Sequence, residues 1–246
     1  MKIIYHAGKY FLLLSRVFSK PEKAKIFFKQ VIKEIENLGV NSLGIVLIIS
    51  IFMGAVITLQ TAYNLENPLI PAYLVGLTAR DTMILEFSST IVGLILAGKV
   101  GSSIASEIGT MRITEQIDAL EIMGVNSANH LILPKIVAAV FINPFLTIIS
   151  IFVGVGGGYL AALLTGAVST ADYVYGIHYF FVPFYITYAL IKVVVFAFII
   201  TSVPSYHGYY ASGGALEVGK SSTTAVVYSS ILILLFNVIL TQLLLT

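Results

Sequence analysis

The chain has 246 residues, 58% of them hydrophobic and 11% charged. Soluble domains carry about 25% charged residues, so a soluble fold would lack polar surface and the solvent implied is a bilayer. Cysteine is absent, which excludes a disulfide framework and thiolate metal ligation. The net charge of +2 gives no footprint for nucleic acid, and none is expected as a partner.

Residues 1–38 hold eight of the fourteen Lys/Arg residues, mixed with Tyr, Phe and Leu. That mixture reads as an amphipathic helix lying in the membrane interface; a soluble basic tail is the competing reading. The apolar run YFLLL is short, Arg16 follows it, and no small-residue cleavage site appears, so no signal peptide is expected.

A spanning helix needs about 20 apolar residues. Four or five such segments can be placed, at roughly 40–63, 82–105, 131–165, 178–203 and 222–246. The third is long, and reads either as one tilted helix or as two segments broken near Asn143-Pro144. With five spans and a cytoplasmic N-terminus, the N-terminal basic residues share a side with Lys99, Arg112, Lys135 and Lys220. Arg80 alone falls outside and Lys192 lies within a span. This bias follows the positive-inside rule and sends the C-terminus outward. Gly93, Ala97, Gly101, Ala105 and Gly109 recur every four residues, a small face that lets another helix approach closely. Gly154 and Gly158 form a second such pair, and packing is the expected role of both.

The stretch 107–135 is polar and acidic between apolar spans. Ile113, Ile117 and Leu120 share one helical face, and Glu115, Asp118 and Glu121 repeat every three residues. A short helix of this kind at the membrane edge suits docking to a partner; a solvated loop helix with incidental acids is the plainer alternative. Glu86 and Lys192 sit in apolar surroundings, where a charge at the bilayer centre costs about 2.5–3.5 kcal/mol. They read either as polar contacts along a substrate path or as a structural ion pair.

GALEVGKSS, residues 214–222, spells G-x-x-x-x-G-K-[ST]. A phosphate-binding loop must follow a buried strand and open a helix. No apolar strand precedes this stretch, so it reads as a glycine-rich turn before the last span. His6, His130, His178 and His207 have no ligand spacing, and neither H-E-x-x-H nor G-x-S-x-G occurs, so metal and nucleophilic catalysis have no support.

The stretch AGKVGSSIASEIGTMRITEQIDALEIMGV (97–125) closely resembles the signature of the MlaE/YrbE permeases, membrane subunits of ABC transporters that work with MCE-domain proteins. Lys99 stands for the usual Arg and Ser106 for a common Ala. FMGAVITLQ (52–60), LIKVVVFA (190–197) and VGKSSTTAVVYSS (218–230) are also similar to that family, so the resemblance covers nearly all of 40–246.

The resemblance implies an all-α membrane protein with an N-terminal interfacial helix (1–38) and a permease domain (39–246) of five spans. It implies a homodimer in the bacterial inner membrane that moves phospholipid between inner and outer membranes. It places a cytoplasmic coupling helix at about 107–125, with Glu115, Gln116, Asp118, Ala119, Leu120 and Gly124 docking into a separate ATPase subunit. ATP and magnesium belong to that subunit, and no cofactor or catalytic residue is expected here. A periplasmic MCE-domain partner is implied, and in some members a STAS-domain protein that binds the ATPase. Glu86 and Lys192 align with charged positions near the lipid cavity. The family often reads R-E-L-G-P where this chain has Leu85-Glu86-Phe87-Ser88-Ser89, so an Arg–Glu pair is missing. An ion-coupled secondary transporter using Glu86 and Lys192 is the alternative. Against it stands the lack of a clear repeat between the halves.

Overall fold

The computed structural model describes residues 2–19, 24–65 and 70–245, and among them every regular element is helical. Helix α1 (Lys2–Val17) stands apart. Helix α2 (Ala24–Glu34) runs through a π-helical segment (Ile35–Val40) into α3 (Asn41–Asn64) without a break. The sequence boundary at 38/39 therefore falls inside one helix of 41 residues, about 60 Å long.

A second continuous helix spans Leu74–Ile113 over 40 residues. It comprises α4 (Leu74–Thr82), a π-helical segment (Met83–Ile91), α5 (Val92–Leu96), a second π-helical segment (Ala97–Gly101) and α6 (Ser102–Ile113). Short α7 (Gln116–Ile122) leads to α8 (Ser127–Thr165), short α9 (Thr170–His178), α10 (Phe184–Tyr209) and α11 (Ala215–Leu245). Among the described residues five helices are long and apolar enough to cross a membrane, in line with the sequence.

Boundaries differ where local signals compete with hydropathy. The 131–165 segment is one helix, with Pro134 and Pro144 inside it. Proline is tolerated in a spanning helix because neighbours re-satisfy the freed carbonyl. Asn126 caps α8, its side chain accepting from the Asn129 N–H at 3.3 Å. The fourth span starts at Phe184 rather than 178, because α9 ends at His178 and Phe180 takes φ 45° in the turn that follows. The last span starts at Ala215, so Lys220 and Ser221 lie inside α11 and not in a turn before it. Residues 210–214 turn the chain between α10 and α11, with Gly213 at φ 106°.

The two small-residue faces do separate jobs. A Cβ on Gly54 would overlap the Gly154 carbonyl, and one on Gly157 would overlap Ile51, so α3 and α8 touch backbone to backbone. Gly93, Gly101 and Gly109 face Phe196, Pro204 and Val218, while Ala97 and Ala105 are fully buried. The four-residue stripe thus seats the second spanning helix against α10 and the start of α11. At the far end of the bundle, Arg80 donates from Nη1 to the Ile177 and Tyr179 carbonyls at 2.7 and 2.8 Å, pinning α9 to α4.

Candidate functional site

Two polar regions stand out, near opposite ends of the bundle. The first lies inside the spans. Lys192 on α10 has no exposed side-chain surface, whereas the Glu86 side chain is 41% exposed. Lys192 Nζ donates to Glu86 Oε1 at 3.0 Å, to the Leu85 carbonyl at 3.0 Å and to Tyr188 OH at 3.1 Å. An ammonium has three donors, and all three are used. The Tyr188 ring also lies 4.7 Å below the charge.

The other carboxylate oxygen, Glu86 Oε2, accepts from Asn237 Nδ2 on α11 at 3.0 Å. The Thr90 hydroxyl lies 3.0 Å from Glu86 Oε2 and 3.1 Å from Asn237 Oδ1, and its single proton serves one of them at a time. Thr241 donates to the Asn237 carbonyl at 2.7 Å, which leaves its oxygen to accept from Tyr188 OH at 2.7 Å. Three helices are thereby joined by one network, closed on the Lys192 side and open on the Glu86 side. Such a pair holds only because its remaining lone pairs and protons are satisfied.

Glu86 and Lys192 were legible in the sequence as charges in apolar runs, and the structure brings them together. The cation beside Glu86 comes from Lys192 on α10, since position 85, where the resemblance would put an arginine, is Leu85. Thr90, Tyr188, Asn237 and Thr241 went unread. Their signal was present: each lies one turn from another polar group, as Glu86 to Thr90, Tyr188 to Lys192 and Asn237 to Thr241.

The second region is the turn around α7. The chain breaks at Thr114-Glu115, where Glu115 takes φ 61°, so Ile113 ends one helix and Ile117 belongs to the next. The Leu120 carbonyl accepts from Val125 N–H and the Glu121 carbonyl from Gly124 N–H, with Gly124 at φ 79°. This is a Schellman cap, and it explains the glycine at 124.

The expected acidic stripe is divided. Asp118 Oδ1 accepts from Arg112 Nη1 at 2.6 Å. Glu121 Oε1 accepts from Arg16 Nη2 at 2.8 Å, Ser127 Oγ at 2.9 Å and Tyr209 OH at 3.0 Å. The Arg16 guanidinium, with Ser127, holds the Glu121 carboxyl below its ordinary value of 4.5. Ile117 is buried, whereas Glu115, Gln116, Ala119 and Gly124 are exposed and Leu120 is half-buried. The most exposed large hydrophobic side chains here are Ile122, at 87%, and Met123, at 67%. The sequence reading passed over both, because it sought a partner surface among the acids.

The phosphate-loop spelling finds no such use. Lys220 Nζ lies 2.7 Å from Glu217 Oε1 on the same helix, and no strand precedes it among the described residues.

A family model described as Permease MlaE matches residues 31–243. A Rickettsia bellii protein named probable ABC transporter permease protein is 34% identical, over 99% of this chain and 93% of its own length. The Haemophilus influenzae intermembrane phospholipid transport system permease protein MlaE is 30% identical, over 94% of this chain and 88% of its own. The Arabidopsis thaliana chloroplastic protein trigalactosyldiacylglycerol 1 is 30% identical, over 94% of this chain and 66% of its own. With five spanning helices and these matches, the chain is a multi-pass membrane protein, an ABC transporter permease, and belongs to the MlaE permease family.

Proposed function

We propose that this permease moves phospholipid between the inner and outer membranes of a diderm bacterium, driven by a separate ATPase subunit that binds ATP and magnesium. The observation that carries the reading is the Glu86–Lys192 network, a hydrogen-bonded polar cluster inside apolar spans whose carboxylate faces outward from the bundle. A lipid needs an apolar path with a polar foothold for its headgroup, and this cluster supplies the foothold. The name of the Haemophilus influenzae relative supports the same substrate class.

The N-terminus lies in the cytoplasm of an inner-membrane protein. Supporting this, the basic residues gather at the α1 end, and the far end of the bundle keeps Arg80. The α7 turn then faces the cytoplasm, where Ile122 and Met123 form an apolar knob for the ATPase and Glu115 and Gln116 rim it. The outer face of α11 exposes Val227, Ile231, Leu234 and Val238, a surface suited to a second copy of this chain. A homodimer would enclose the open side of Glu86, and a periplasmic MCE-domain partner would cover the α4/α9 end.

Reconstitution tests the whole reading. Vesicles holding this chain with its ATPase should transfer labelled phospholipid to acceptor particles only when ATP is supplied. ATP-independent transfer, or transfer driven by an ion gradient alone, would reject it.

A further inference from the structure

A second polar cavity lies away from the Glu86–Lys192 cluster. It has a volume of about 280 Å³, between the α2–α3 helix and the Ala97–Ile113 part of the second spanning helix. Glu34, Asn41, Ser42, Lys99, Ser103 and Glu107 line it. Lys99, Ser103 and Glu107 follow one another at four-residue spacing, so a cation, a hydroxyl and a carboxylate stand in a row on one helix face. Two turns separate the charges at the ends of that row, too far for them to neutralise each other directly.

Spare bonding capacity marks both ends. Lys99 donates one short hydrogen bond to the Asn41 carbonyl and has no carboxylate partner among the described residues. An ammonium can donate three bonds. At the other end Lys135 Nζ holds one oxygen of Glu34 and one of Glu107, each at 2.8 Å. Among the described residues Glu34 Oε2 is buried with no hydrogen-bond partner, and the same is true of Ser42 Oγ. Buried polar atoms left unpaired are costly, and two of them belong to residues lining one cavity.

Position narrows the occupant. The continuous apolar run of α3 begins beside the cavity, with Ile45, Ile48 and Phe52 exposed, whereas α2 mixes exposed Phe28 and Ile32 with exposed Lys25, Lys29 and Lys33. The cavity therefore sits at headgroup depth, at the α1 end. Two π-helical segments, Ile35–Val40 and Ala97–Gly101, flank it, and such wide turns gather at functional sites.

We infer that this cavity is a headgroup site for an aminophospholipid: Lys99, Asn41 and Ser103 hold the phosphate, and Glu107 with Glu34 takes the primary ammonium. The inference rests on the reading that the chain handles phospholipid, and adds an entry site at the opposite membrane face from the open side of Glu86. A choline headgroup has no N–H to donate, so the carboxylates select ethanolamine against choline.

Photo-crosslinking in nanodiscs of equal phosphatidylethanolamine and phosphatidylcholine tests it. A benzoylphenylalanine probe replaces Asn37 at the cavity rim, and mass spectrometry identifies the captured lipid. Phosphatidylethanolamine should exceed phosphatidylcholine at least fivefold. Lys99→Gln should cut total capture, and Glu107→Gln should abolish the preference while capture persists. Ser103→Ala removes only an exposed hydroxyl and should lower capture about twofold, which keeps the test sound if a charge variant misfolds. A captured ratio equal to the bilayer's, or one that none of these variants changes, overturns the inference.

A second probe at Phe87 separates the two readings. Lipid at Phe87 without lipid at Asn37 overturns this site and leaves transport standing; lipid at neither overturns both. Labelled soluble phosphoethanolamine is titrated in parallel in detergent. Saturable binding that Lys99→Gln abolishes, without lipid capture at Asn37, assigns the same chemistry to a free compound instead of a lipid.

Discussion

At the scale of single residues, the Glu86–Lys192 pair sets what a substitution should do. Lys192 is fully buried and makes three hydrogen bonds, so Lys192→Ala leaves two acceptors and a carboxylate without their donor. Removing one partner of a buried pair costs about 3–5 kcal/mol, and the partial exposure of Glu86 puts this case near the lower end. Thermal unfolding in detergent should show the loss, whereas Lys192→Met, which keeps volume, should recover part of it. Both variants should lower phospholipid transfer at least tenfold while the ATPase still copurifies. Full transfer by either would remove the pair from the lipid path. The charges of this pair were readable because charge in an apolar run is conspicuous. Their four uncharged companions left only a faint trace, a polar group one turn away on the same helix, and a Thr, Tyr or Asn so placed in a span is equally compatible with packing. Only the crossing of three helices reveals that they meet.

A second residue-scale prediction concerns pH. The Glu121 carboxyl is held below its ordinary value by Arg16, so its contribution to stability is present above that value and fades as pH falls through the folded-state pKa. The pair is half exposed, and exposed ion pairs are worth about 0–1 kcal/mol. Glu121→Gln should therefore lower the melting temperature slightly at pH 7. The difference from the parent chain should vanish well below pH 4.5. A difference that persists in acid would mean the hydrogen bonds from Ser127 and Tyr209, and not the charge, carry the contact.

Among elements, α7 and the α3–α8 crossing make separate demands. Ile122→Asp with Met123→Asp places charge on the knob without touching a hydrogen bond inside the chain, and should abolish ATPase copurification. Glu115→Lys should weaken it. Asp118→Lys acts differently, since it also breaks the bond to Arg112. Unchanged copurification in the Ile122/Met123 variant would move the docking site elsewhere. At the crossing, Gly54→Val forces side chain into the Gly154 carbonyl and should cost about 1–3 kcal/mol or more. Gly156→Ala, on α8 with open space around it, should be neutral or slightly stabilising. Spanning helices and small faces were legible here because hydropathy and four-residue spacing are one-dimensional signals. The ends of helices were less so. The fourth span slid because the turn after α9, residues 179–183, is itself apolar and hides the helix boundary. The 107–135 reading missed a helix break because a residue at positive φ such as Glu115 leaves no mark in the periodicity.

For the whole molecule, the pertinent fact is how little of α11 is covered. That helix exposes apolar side chains from Val227 to Ile239, and the chain contains no cysteine. Leu235→Cys would then carry the only thiol, and mild oxidation in native membranes should yield a disulfide-linked pair of this chain. A cysteine at Phe141 on α8, also exposed, should not. Dimers through Phe141 and none through Leu235 would relocate the interface. Class and span number were readable at this scale because composition alone selects the bilayer. The cavity at Lys99 was not, since its walls come from segments about sixty residues apart.

The three π-helical segments tie these scales together. Glu86 sits in one, Lys99 in another and Asn37 in the third. A wide turn holds one residue more than the α turn it replaces. Sliding such a turn by one position rotates each residue it passes by about 100°, while both ends of the helix stay in place. No loop has to open and no proline has to bend. A register slip of this kind would re-aim a single charge toward or away from its cavity while the glycine crossings beside it remained locked.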